Sequence, residues 1–449
     1  MKDLRVYRCN YLNKVIFFTE KGNTNSIIKK YILCKLQKSD IILMIIIINY
    51  IIYNYMGVNP VIGDKIFYKT LFKNLFSDTF ELQLWDGSTE TYGAGEPKFK
   101  IIFNEPIPKA DILNDPSIAF GEGYMTKKID IEGSIEDVIE SLYNNKESFL
   151  GSDKYAKLVK MVSNNLKRSK ENIQFHYDVG NDFYKLWLDD TMTYSCGYFK
   201  SKNDSLTQAQ KNKVDHILKK LNLKEGETLL DIGCGWGELI ITAAKQYKVK
   251  ALGITLSSEQ LKKVKERIEK EGLNDLVEVE LIDYREIKNR KFDKIVSVGM
   301  IEHVGKDHLE EYFSHVSDLL NNKGISLLHC ITNTSEEGTN SWINKYIFPG
   351  GYVPSIQELV AHICEEGCNI VDIENLRLHY GKTLECWAEN FEKAIPAIEK
   401  MKDETFIRMW RLYLNSCAAS FNAGNINLHQ FLFTKGVNND IPWTRDYML

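Results

Sequence analysis

Between about residues 228 and 330, short apolar runs alternate with longer segments whose apolar residues recur at helical spacing. The short runs suit buried strands and the longer segments suit helices. Ser257 caps one of these helices, with Glu259 in its first turn. Strands that alternate with helices every 20 to 30 residues or so predict a doubly wound, mostly parallel α/β sheet. The predicted strands are 229–232, Lys250–Ile254, Val277–Ile282, Phe292–Val298 and Ile325–Cys330, and the predicted helices are Gly237–Tyr247, Ser258–Glu271 and Asp307–Leu320, the last closed by Asn322 and Gly324.

Elements are also predicted on both sides of this segment. A helix at Gln208–Leu221 leads into the first strand. The run Ser341–Ser355 is rich in aromatic residues, proline and glycine, and predicts a lid inserted at about 332–380. Further elements predicted in the C-terminal part are strands at Ile370–Leu378 and Phe431–Thr434 and a long helix at Glu404–Ala423.

A smaller α+β unit is predicted at 56–150, followed by a basic linker helix at 151–172 and the larger domain at 173–449. We interpret the smaller unit either as a lipid-associated domain or as a structural cap. Asp86-Gly87-Ser88 is a strong hairpin signal. The elements predicted in this unit are a helix at Ile66–Phe76, strands at Phe80–Leu84, Glu90–Tyr92 and Lys98–Phe103, a turn and strand across Gly121–Ile131, and a helix that starts at Ser134.

The first 55 residues have no clear periodicity. Ile41–Met56 is apolar, but it is shorter than the 20 residues or so that a membrane-spanning helix needs, and two asparagines interrupt it. Residues 1–55 are therefore either a hydrophobic segment or an artefact of the gene model, with the real start at Met56, and both interpretations stay open.

Composition narrows the class of protein. The chain has 449 residues and a net charge of −4, so overall charge does not favour a nucleic-acid partner. Nine cysteines spread through apolar runs predict free thiols in a reducing cytoplasm rather than a disulfide framework. Cys364 and Cys368 have the spacing of half a metal site, but no second pair completes it, so no metal is expected.

The stretch T-L-L-D-I-G-C-G-W-G, residues 228–237, carries the clearest chemical signal. Its glycines, Gly233, Gly235 and Gly237, permit a tight turn and close approach of backbone to a ligand. The spacing differs from the G-x-G-x-x-G of dinucleotide-binding folds. Asp231 would repel a pyrophosphate but suits a cationic group, such as the ammonium of S-adenosylmethionine.

Polar side chains follow the ends of several predicted strands. Asp283 and Tyr284 suit an adenine, as acceptor for its amine and as stacking partner, while Thr255 and Gln260 are candidates for the ribose hydroxyls. Ligands of open α/β sheets bind at the carboxyl ends of strands. The residues that converge there are Asp231, Thr255, Asp283, Glu302 and His329. Together they favour S-adenosylmethionine as cofactor.

The chain from about Ile173 to Phe433 resembles the cyclopropane-fatty-acyl-phospholipid synthases and the related mycolic acid cyclopropane synthases. The resemblance implies a Rossmann-like class I methyltransferase sheet with a smaller N-terminal domain. The shared stretches are H-Y-D-V-G-N-D-F-Y, Y-S-C-G-Y-F, L-L-D-I-G-C-G-W-G, G-I-T-L-S-S-E-Q, D-Y-R, F-D-K-I-V-S-V-G-M-I-E-H-V-G, Y-I-F-P-G-G-Y-V-P-S and L-H-Y-G-K-T-L.

The resemblance implies that a methyl group passes from S-adenosylmethionine to a cis double bond of a phospholipid acyl chain, and that proton loss closes a cyclopropane ring. It implies a bicarbonate ion as proton acceptor, a peripheral position on the cytoplasmic face of the membrane, and a homodimer. Tyr177, Tyr346, Phe348 and Trp387 would stabilise a cation through their ring faces. By motif, the bicarbonate ligands are Cys196, Glu302, His329, Ile331 and Tyr380, and the cofactor contacts are Tyr194, Ser195, Gly233, Gly235, Thr255, Leu256, Gln260, Asp283 and Tyr284, beside Asp231 and Gly237 of the glycine motif.

Cys417 matches a cysteine to which the family assigns an active-site role. Direct methyl transfer needs no covalent thiolate, and a thiol in an apolar helix is most often buried packing, so both interpretations stay open. The chain departs from the family pattern at Glu238, at the C-I-T after His329, and at Asn422, where arginine is common.

Three other functions remain possible. A related enzyme would leave a methyl-branched chain instead of a ring. A small-molecule methyltransferase would share the fold, although the aromatic lid argues against it. A non-catalytic lipid-binding protein would be expected to lose the acid or the glycines of the D-I-G-C-G-W-G motif, and this chain keeps them.

Overall fold

The computed structural model describes residues 4–9, 14–19, 60–145, 180–334 and 339–449. The predicted linker helix at 151–172 and the apolar stretch Ile41–Met56 lie outside these residues. Near the N-terminus, β1 (Leu4–Cys9) and β2 (Lys14–Thr19) pair in antiparallel fashion. Within the described part of the chain, no helix combines the length and apolar character needed to cross a membrane.

A four-stranded sheet forms the centre of the smaller unit, in the order β4-β3-β5-β6. Strands β3 and β5 are parallel, and the two other pairs are antiparallel. The apolar faces of its helices and strands meet in one core, where Tyr68, Phe72 and Phe103 pack together. The elements are α1 (Pro60–Phe72), β3 (Phe80–Gln83), β4 (Thr89–Tyr92), β5 (Phe99–Phe103), α2 (Lys109–Asn114), α3 (Pro116–Met125), β6 (Ile129–Glu132) and α4 (Ile135–Asn144).

Most of this unit follows the sequence prediction. The hairpin at Asp86–Ser88 is confirmed, and the Ser134 hydroxyl accepts a hydrogen bond from the Asp137 backbone at the start of α4. Two predictions are wrong. Helix α1 begins and ends earlier than Ile66–Phe76, and Gly121–Met125 is the last part of helix α3 rather than a turn and strand.

The larger unit contains a seven-stranded sheet, whose strands lie in the order β12 (Cys368–Asn375), β13 (Ile426–Lys435), β11 (Leu320–Asn333), β10 (Phe292–Val298), β7 (Thr228–Ile232), β8 (Lys250–Thr255) and β9 (Val277–Leu281). All neighbouring strands from β11 to β9 are parallel, and β13 runs antiparallel to both of its neighbours. The elements are α5 (Asn181–Tyr184), α6 (Leu206–Lys220), β7 (Thr228–Ile232), α7 (Glu238–Tyr247), β8 (Lys250–Thr255), α8 (Ser258–Glu271), β9 (Val277–Leu281), β10 (Phe292–Val298), α9 (Leu309–Leu319), β11 (Leu320–Asn333), α10 (Ser341–Tyr346), α11 (Ile356–Glu365), β12 (Cys368–Asn375), α12 (Arg377–Ile398), α13 (Glu404–Asn422) and β13 (Ile426–Lys435).

Helices cover both faces of this sheet, which confirms the doubly wound architecture. Apolar residues of α6, α7 and α8 pack in one core, and those of α9 and α11 pack in another on the opposite face. The strand order reverses between β7 and β10, and ligands of such sheets bind beyond the strand ends at this point.

Three sequence predictions for the larger unit need correction. Asn322 and Gly324 do not close a helix, because β11 begins at Leu320 directly after α9. The predicted lid at 332–380 is too long, since α11 and β12 within it belong to the layers of the sheet fold. Helix α12 was not predicted, and Leu378 lies in it rather than in a strand.

The two units are in direct contact through α13. The Arg408 guanidinium donates to the backbone oxygens of Tyr124 and Ile129, at 2.5 and 2.8 Å, and to the Asp130 carboxylate at 2.7 Å. It also lies 4.0 Å from the Tyr124 ring centroid. Because α10 also packs on α3, through Trp342 beside Gly121, the smaller unit is held to the larger one at two places.

Candidate active site

A pocket lies over the turn that follows β7, at the carboxyl edge of the sheet. Gly233 and Gly235 adopt φ values of +87° and +54°, in the left-handed region that favours glycine. Because these glycines have no side chains, the backbone of the turn itself forms part of the pocket wall. The volume of this pocket is about 150 Å³.

Ten of the eleven residues predicted to bind the cofactor line this pocket. They are Tyr194, Ser195, Asp231, Gly233, Gly235, Thr255, Leu256, Gln260, Asp283 and Tyr284. Gly237 does not line it. Gly237 is the N-cap residue of helix α7 and has a φ of +82°. A Cβ atom there would lie 2.9 Å from the Val264 side chain on α8. Gly237 is therefore needed for helix packing rather than for cofactor contact.

Asp231 is the group best suited to a cation in this pocket. Its Oδ1 atom is buried and has no hydrogen-bond partner among the described residues. Burial raises the pKa of this carboxyl group to about 7, while nearby Lys213 acts in the opposite direction. A buried carboxylate oxygen without a partner carries a large desolvation cost, which an ammonium group would offset. Asp231 thus provides an acceptor that suits the ammonium group in the methionine portion of S-adenosylmethionine.

Lys213 is a pocket residue that the sequence analysis missed. Its ammonium group is buried and donates to the Ser195 hydroxyl at 2.9 Å, and burial lowers the pKa of the lysine to about 8. One turn earlier on α6, Gln210 donates to the Ser195 backbone oxygen at 2.8 Å. These two side chains hold the segment that carries Tyr194 and Ser195. No sequence signal distinguishes Lys213 from the other lysines of α6.

The opposite end of the pocket contains the residues predicted for ribose and adenine. The Thr255 hydroxyl donates to the Gln260 side-chain oxygen at 2.7 Å, so both lie together on the wall. Asp283 accepts from the Arg285 guanidinium at 2.8 and 2.9 Å. A carboxylate has four acceptor positions, so Asp283 retains capacity for an exocyclic amine. Arg285, which orients it, was not predicted.

A second and larger cavity contains all five residues predicted to bind bicarbonate. Its volume is about 1160 Å³, slightly above the 300–1000 Å³ or so of ordinary ligand pockets. The five residues on its wall are Cys196, Glu302, His329, Ile331 and Tyr380. The sequence prediction that these residues share one site agrees with this arrangement.

Glu302 presents an acceptor to this cavity. Its Oε1 atom accepts from the Ile331 backbone N–H at 2.7 Å, and its shielded Oε2 atom has no partner among the described residues. Burial raises the pKa of the carboxyl group to about 7, and the hydrogen bond from Ile331 opposes this rise. The Tyr352 N–H donates to the Glu302 backbone oxygen at 2.8 Å, which fixes the turn after β10.

His329 presents a donor to the same cavity. Its Nδ1 atom lies 3.1 Å from the Gln430 amide nitrogen, and its buried Nε2 atom has no partner within the described part of the chain. With Gln430 as donor, the imidazole proton resides on Nε2. Burial lowers the pKa of the ring well below its usual value, so the imidazole is neutral. An acceptor on Glu302 and a donor on His329 suit a small oxyanion that carries one hydrogen, which bicarbonate is.

Cys196 and Tyr380 complete this wall. Cys196 is fully buried, and burial raises the pKa of its thiol, so it contributes as a neutral group. The Tyr380 ring lies 4.6 Å from the ring of Phe421, which holds it against α13. Both side chains therefore form part of the wall beside Glu302 and His329.

Tyr194, Ser195, Gly299 and His303 line both cavities. They form the partition through which a methyl group would pass from cofactor to acceptor. The Tyr194 hydroxyl lies 2.7 Å from that of Tyr413, so the partition is tied to α13. Burial lowers the pKa of His303 to about 4, which keeps this wall uncharged.

The aromatic residues predicted to surround the reaction centre lie in different places. Phe348 lines the larger cavity, and Trp387 packs behind Tyr194 with a centroid distance of 5.2 Å. Tyr346 instead donates to Glu122 of the smaller unit at 2.7 Å, so the prediction for it is wrong. Tyr177 lies outside the described residues.

Cys417 lies on the cavity wall, on helix α13, and burial raises the pKa of its thiol to about 12. Such a thiol is not ionised at neutral pH and is a poor nucleophile. We expect Cys417→Ala to keep turnover within about threefold of the unmodified chain, because direct methyl transfer needs no thiolate. Cys386→Ala, at a half-buried thiol away from the cavity, is the matched control. A loss confined to Cys417→Ala and exceeding about a hundredfold would instead assign the thiol a chemical role.

No group of three or more histidine, cysteine, aspartate or glutamate residues in the described ranges is arranged to hold a metal ion.

The chain is similar to a family of known enzymes over most of its length. Residues 164–431 match the family model described as mycolic acid cyclopropane synthetase, and residues 67–154 match a domain family of unknown function. A probable fatty acid methyltransferase of Pseudomonas putida is 41% identical over 377 residues, which cover 82% of this chain and 95% of the relative. The cyclopropane-fatty-acyl-phospholipid synthase of Escherichia coli (strain K12) is 44% identical over 271 residues, 60% of this chain and 69% of the relative. A solved structure of a cyclopropane synthase from Mycobacterium tuberculosis has a TM-score of 0.58 at 34% identity and covers 61% of this chain and 100% of that one.

Proposed function

Because the chain belongs to the mycolic acid cyclopropane synthetase family, whose members are S-adenosylmethionine-dependent methyltransferases, we propose that it forms cyclopropane rings in unsaturated phospholipid acyl chains. One observation carries the proposal. The cofactor pocket, in which Asp231 Oδ1 has no partner among the described residues, is separated from a large, mainly apolar cavity by the partition described above, and Glu302 and His329 lie on the wall of that cavity.

The cofactor supplies an electrophilic methyl group. Held in the cofactor pocket, S-adenosylmethionine would give this methyl carbon to the alkene and leave as S-adenosylhomocysteine, and positive charge would develop on the second alkene carbon. Loss of a proton from the added methyl then closes the ring. The residues of this chain position the two reactants, exclude water and provide the acceptor site for that proton.

We propose bicarbonate as the proton acceptor, held by the residues of the larger cavity. Glu302 would hold the ion as a hydrogen-bond acceptor, and His329 would hold it as a donor. Without the ion, Oε2 of Glu302 and Nε2 of His329 are buried polar atoms that have no partner in the described part of the chain. Binding of the ion removes that cost, which supports the assignment.

Removal of dissolved carbon dioxide and bicarbonate from the assay is expected to lower turnover of the unmodified chain at least about tenfold, as loss of a proton acceptor does. Added bicarbonate should restore turnover, whereas chloride at the same concentration should not. Turnover that is indifferent to bicarbonate would remove this ion from the proposal and leave the methyl transfer intact.

We also propose that the chain acts at a membrane surface on the cytoplasmic side, as a homodimer. The apolar cavity suits an acyl chain, which resides in a bilayer before it reacts.

Formation of a methyl-branched chain is the second candidate, because the Pseudomonas putida relative is described as a probable fatty acid methyltransferase. The two functions are distinguished by the fatty-acid methyl esters of cells that express the chain. Ring formation adds one CH₂ to the monounsaturated precursor and leaves no double bond to take up hydrogen. A product of the same mass that takes up hydrogen indicates the branched alkene. Absence of any new product while the protein binds S-adenosylmethionine would overturn the proposal.

A further inference from the structure

The larger cavity does not end in the catalytic unit. It continues between the helices and sheet of the smaller unit, where its wall is formed by Phe72, Phe76, Ile101, Phe103, Phe120 and Leu142. Several of these residues belong to the core cluster of that unit. The core of the smaller unit is thus open on the side that faces the catalytic residues.

One face of helix α13 connects the two parts of the cavity. Four residues of this face line the cavity, namely Tyr413, Ser416, Cys417 and Ser420. Residues three and four positions apart are neighbours on a helix, so these side chains lie on one face. Three of these four side chains are small, which leaves space along the helix. The Ser420 hydroxyl lies 3.4 Å from that of Tyr143 in the smaller unit, so this face reaches the boundary between the units.

The polarity of the wall changes along the cavity. The wall at β5, α4 and the end of α1 is aromatic and aliphatic, whereas the wall where α3 meets α10 carries Asn114, Asp115, Ser117 and Asn340. An ester and headgroup lose hydrogen bonds with water if they enter an apolar region, and a hydrocarbon end gains by burial there. The methyl end of an acyl chain therefore suits the apolar part of the smaller unit, with the polar end at the wall where α3 meets α10.

We infer that the smaller unit binds the methyl-terminal segment of the acyl chain and thereby selects substrates by the length of chain beyond the double bond. This inference rests on the proposed function, since it concerns the same lipid. With the double bond held at the anion site, the depth of the cavity within the smaller unit limits the hydrocarbon that can follow it.

The test varies one cavity residue in both directions in the full chain. Leu142→Trp fills the part of the cavity in the smaller unit, and Leu142→Ala enlarges it. Leu113→Trp is the control, because it makes the same leucine-to-tryptophan change at a half-buried position of the same unit that does not line the cavity. The substrates are phospholipids whose double bond lies at a fixed distance from the ester and whose methyl-side segments are short or long. Thermal unfolding and S-adenosylmethionine affinity are measured for every variant.

Leu142→Trp is expected to lower the long-to-short ratio of kcat/KM about tenfold, because methylene discrimination in an apolar pocket is of this order. Leu142→Ala should shift the ratio toward the longer segment, and Leu113→Trp should leave it unchanged. A ratio that is the same in all three folded variants, or one that responds only to the length between ester and double bond, would overturn the inference. If Leu142→Trp fails to fold, the ratio of Leu142→Ala decides. Absence of product with the unmodified chain on every lipid would instead refute the proposed function.

Discussion

Glu302→Gln is expected to lower the turnover of unsaturated phospholipid by about 10²- to 10³-fold, as loss of an acid–base group does. The glutamine keeps the length of the side chain and can still accept from the Ile331 N–H. However, its second terminal atom is either a donor or a weaker acceptor, so it no longer holds the hydrogen of the proton-accepting anion. The affinity for S-adenosylmethionine should not change, because Glu302 lines the larger cavity and not the cofactor pocket.

The pH profile provides a second measurement on the same carboxyl group. Burial raises the pKa of Glu302 to about 7, so the group is protonated below this pH and ionised above it. With saturating S-adenosylmethionine, kcat/KM for the lipid should therefore rise with pH to a plateau above about 7. In Glu302→Gln this rise should be lost.

Glu310→Gln makes the same chemical change at an exposed position near the start of helix α9 and should behave as the unmodified chain. Steady-state kinetics on phospholipid vesicles, with cofactor affinity from calorimetry, measure both effects. Full turnover of Glu302→Gln would show that the anion site is wrongly placed.

Asp231→Asn is expected to weaken S-adenosylmethionine at least about 30-fold, which corresponds to the 2 kcal/mol or so lost when a buried charge pair loses one partner. The carboxylate is the acidic group that we assign to the ammonium of the cofactor, and an amide retains the shape without the charge. Asp275→Asn, at an exposed loop position, is the control. Calorimetry measures the affinities. A cofactor affinity that is unchanged in Asp231→Asn would contradict the assignment.

The same variant has an expected effect on stability. The pKa of Asp231 is raised from 3.8 to about 7 in the folded protein, so the folded state binds more protons than the unfolded state between these values. Its contribution to the free energy of unfolding therefore falls as pH rises from about 4 to 7. Without cofactor at pH 8, Asp231→Asn should melt no lower than the unmodified chain. Added S-adenosylmethionine should raise the melting temperature of the variant less.

The sequence was most informative where local chemistry determines local structure. The cap at Ser257 and the bounds of α8 and β10 follow from short-range signals, and the structure confirms them. The gathering of Asp231 and Asp283 at one edge follows from the parallel strand order, since carboxyl ends of parallel strands meet.

Other features depend on contacts between distant parts of the chain. The sequence around Gly121 and Gly123 was predicted as a turn, but both glycines lie in helix α3. Glycine is needed at these positions because neighbouring side chains occupy the space that a larger residue would take. A Cβ on Gly121 would lie 2.3 Å from Trp342, and one on Gly123 would lie 2.6 Å from Ile107. The role of Lys213 likewise depends on the packing of α6 against the segment with Ser195. The continuity of the larger cavity into the smaller unit has no local sequence signal at all.

The structure of the lipid product tests ring formation most directly. The purified full chain is incubated with S-adenosylmethionine, bicarbonate and vesicles of a monounsaturated phospholipid, and the extracted lipid is examined by proton nuclear magnetic resonance. Ring formation predicts that the olefinic signals decrease while methylene signals of a three-membered ring appear at higher field than those of the acyl chain. New terminal-alkene signals, with no ring signals, would contradict cyclopropane formation and assign the chain to methyl branching.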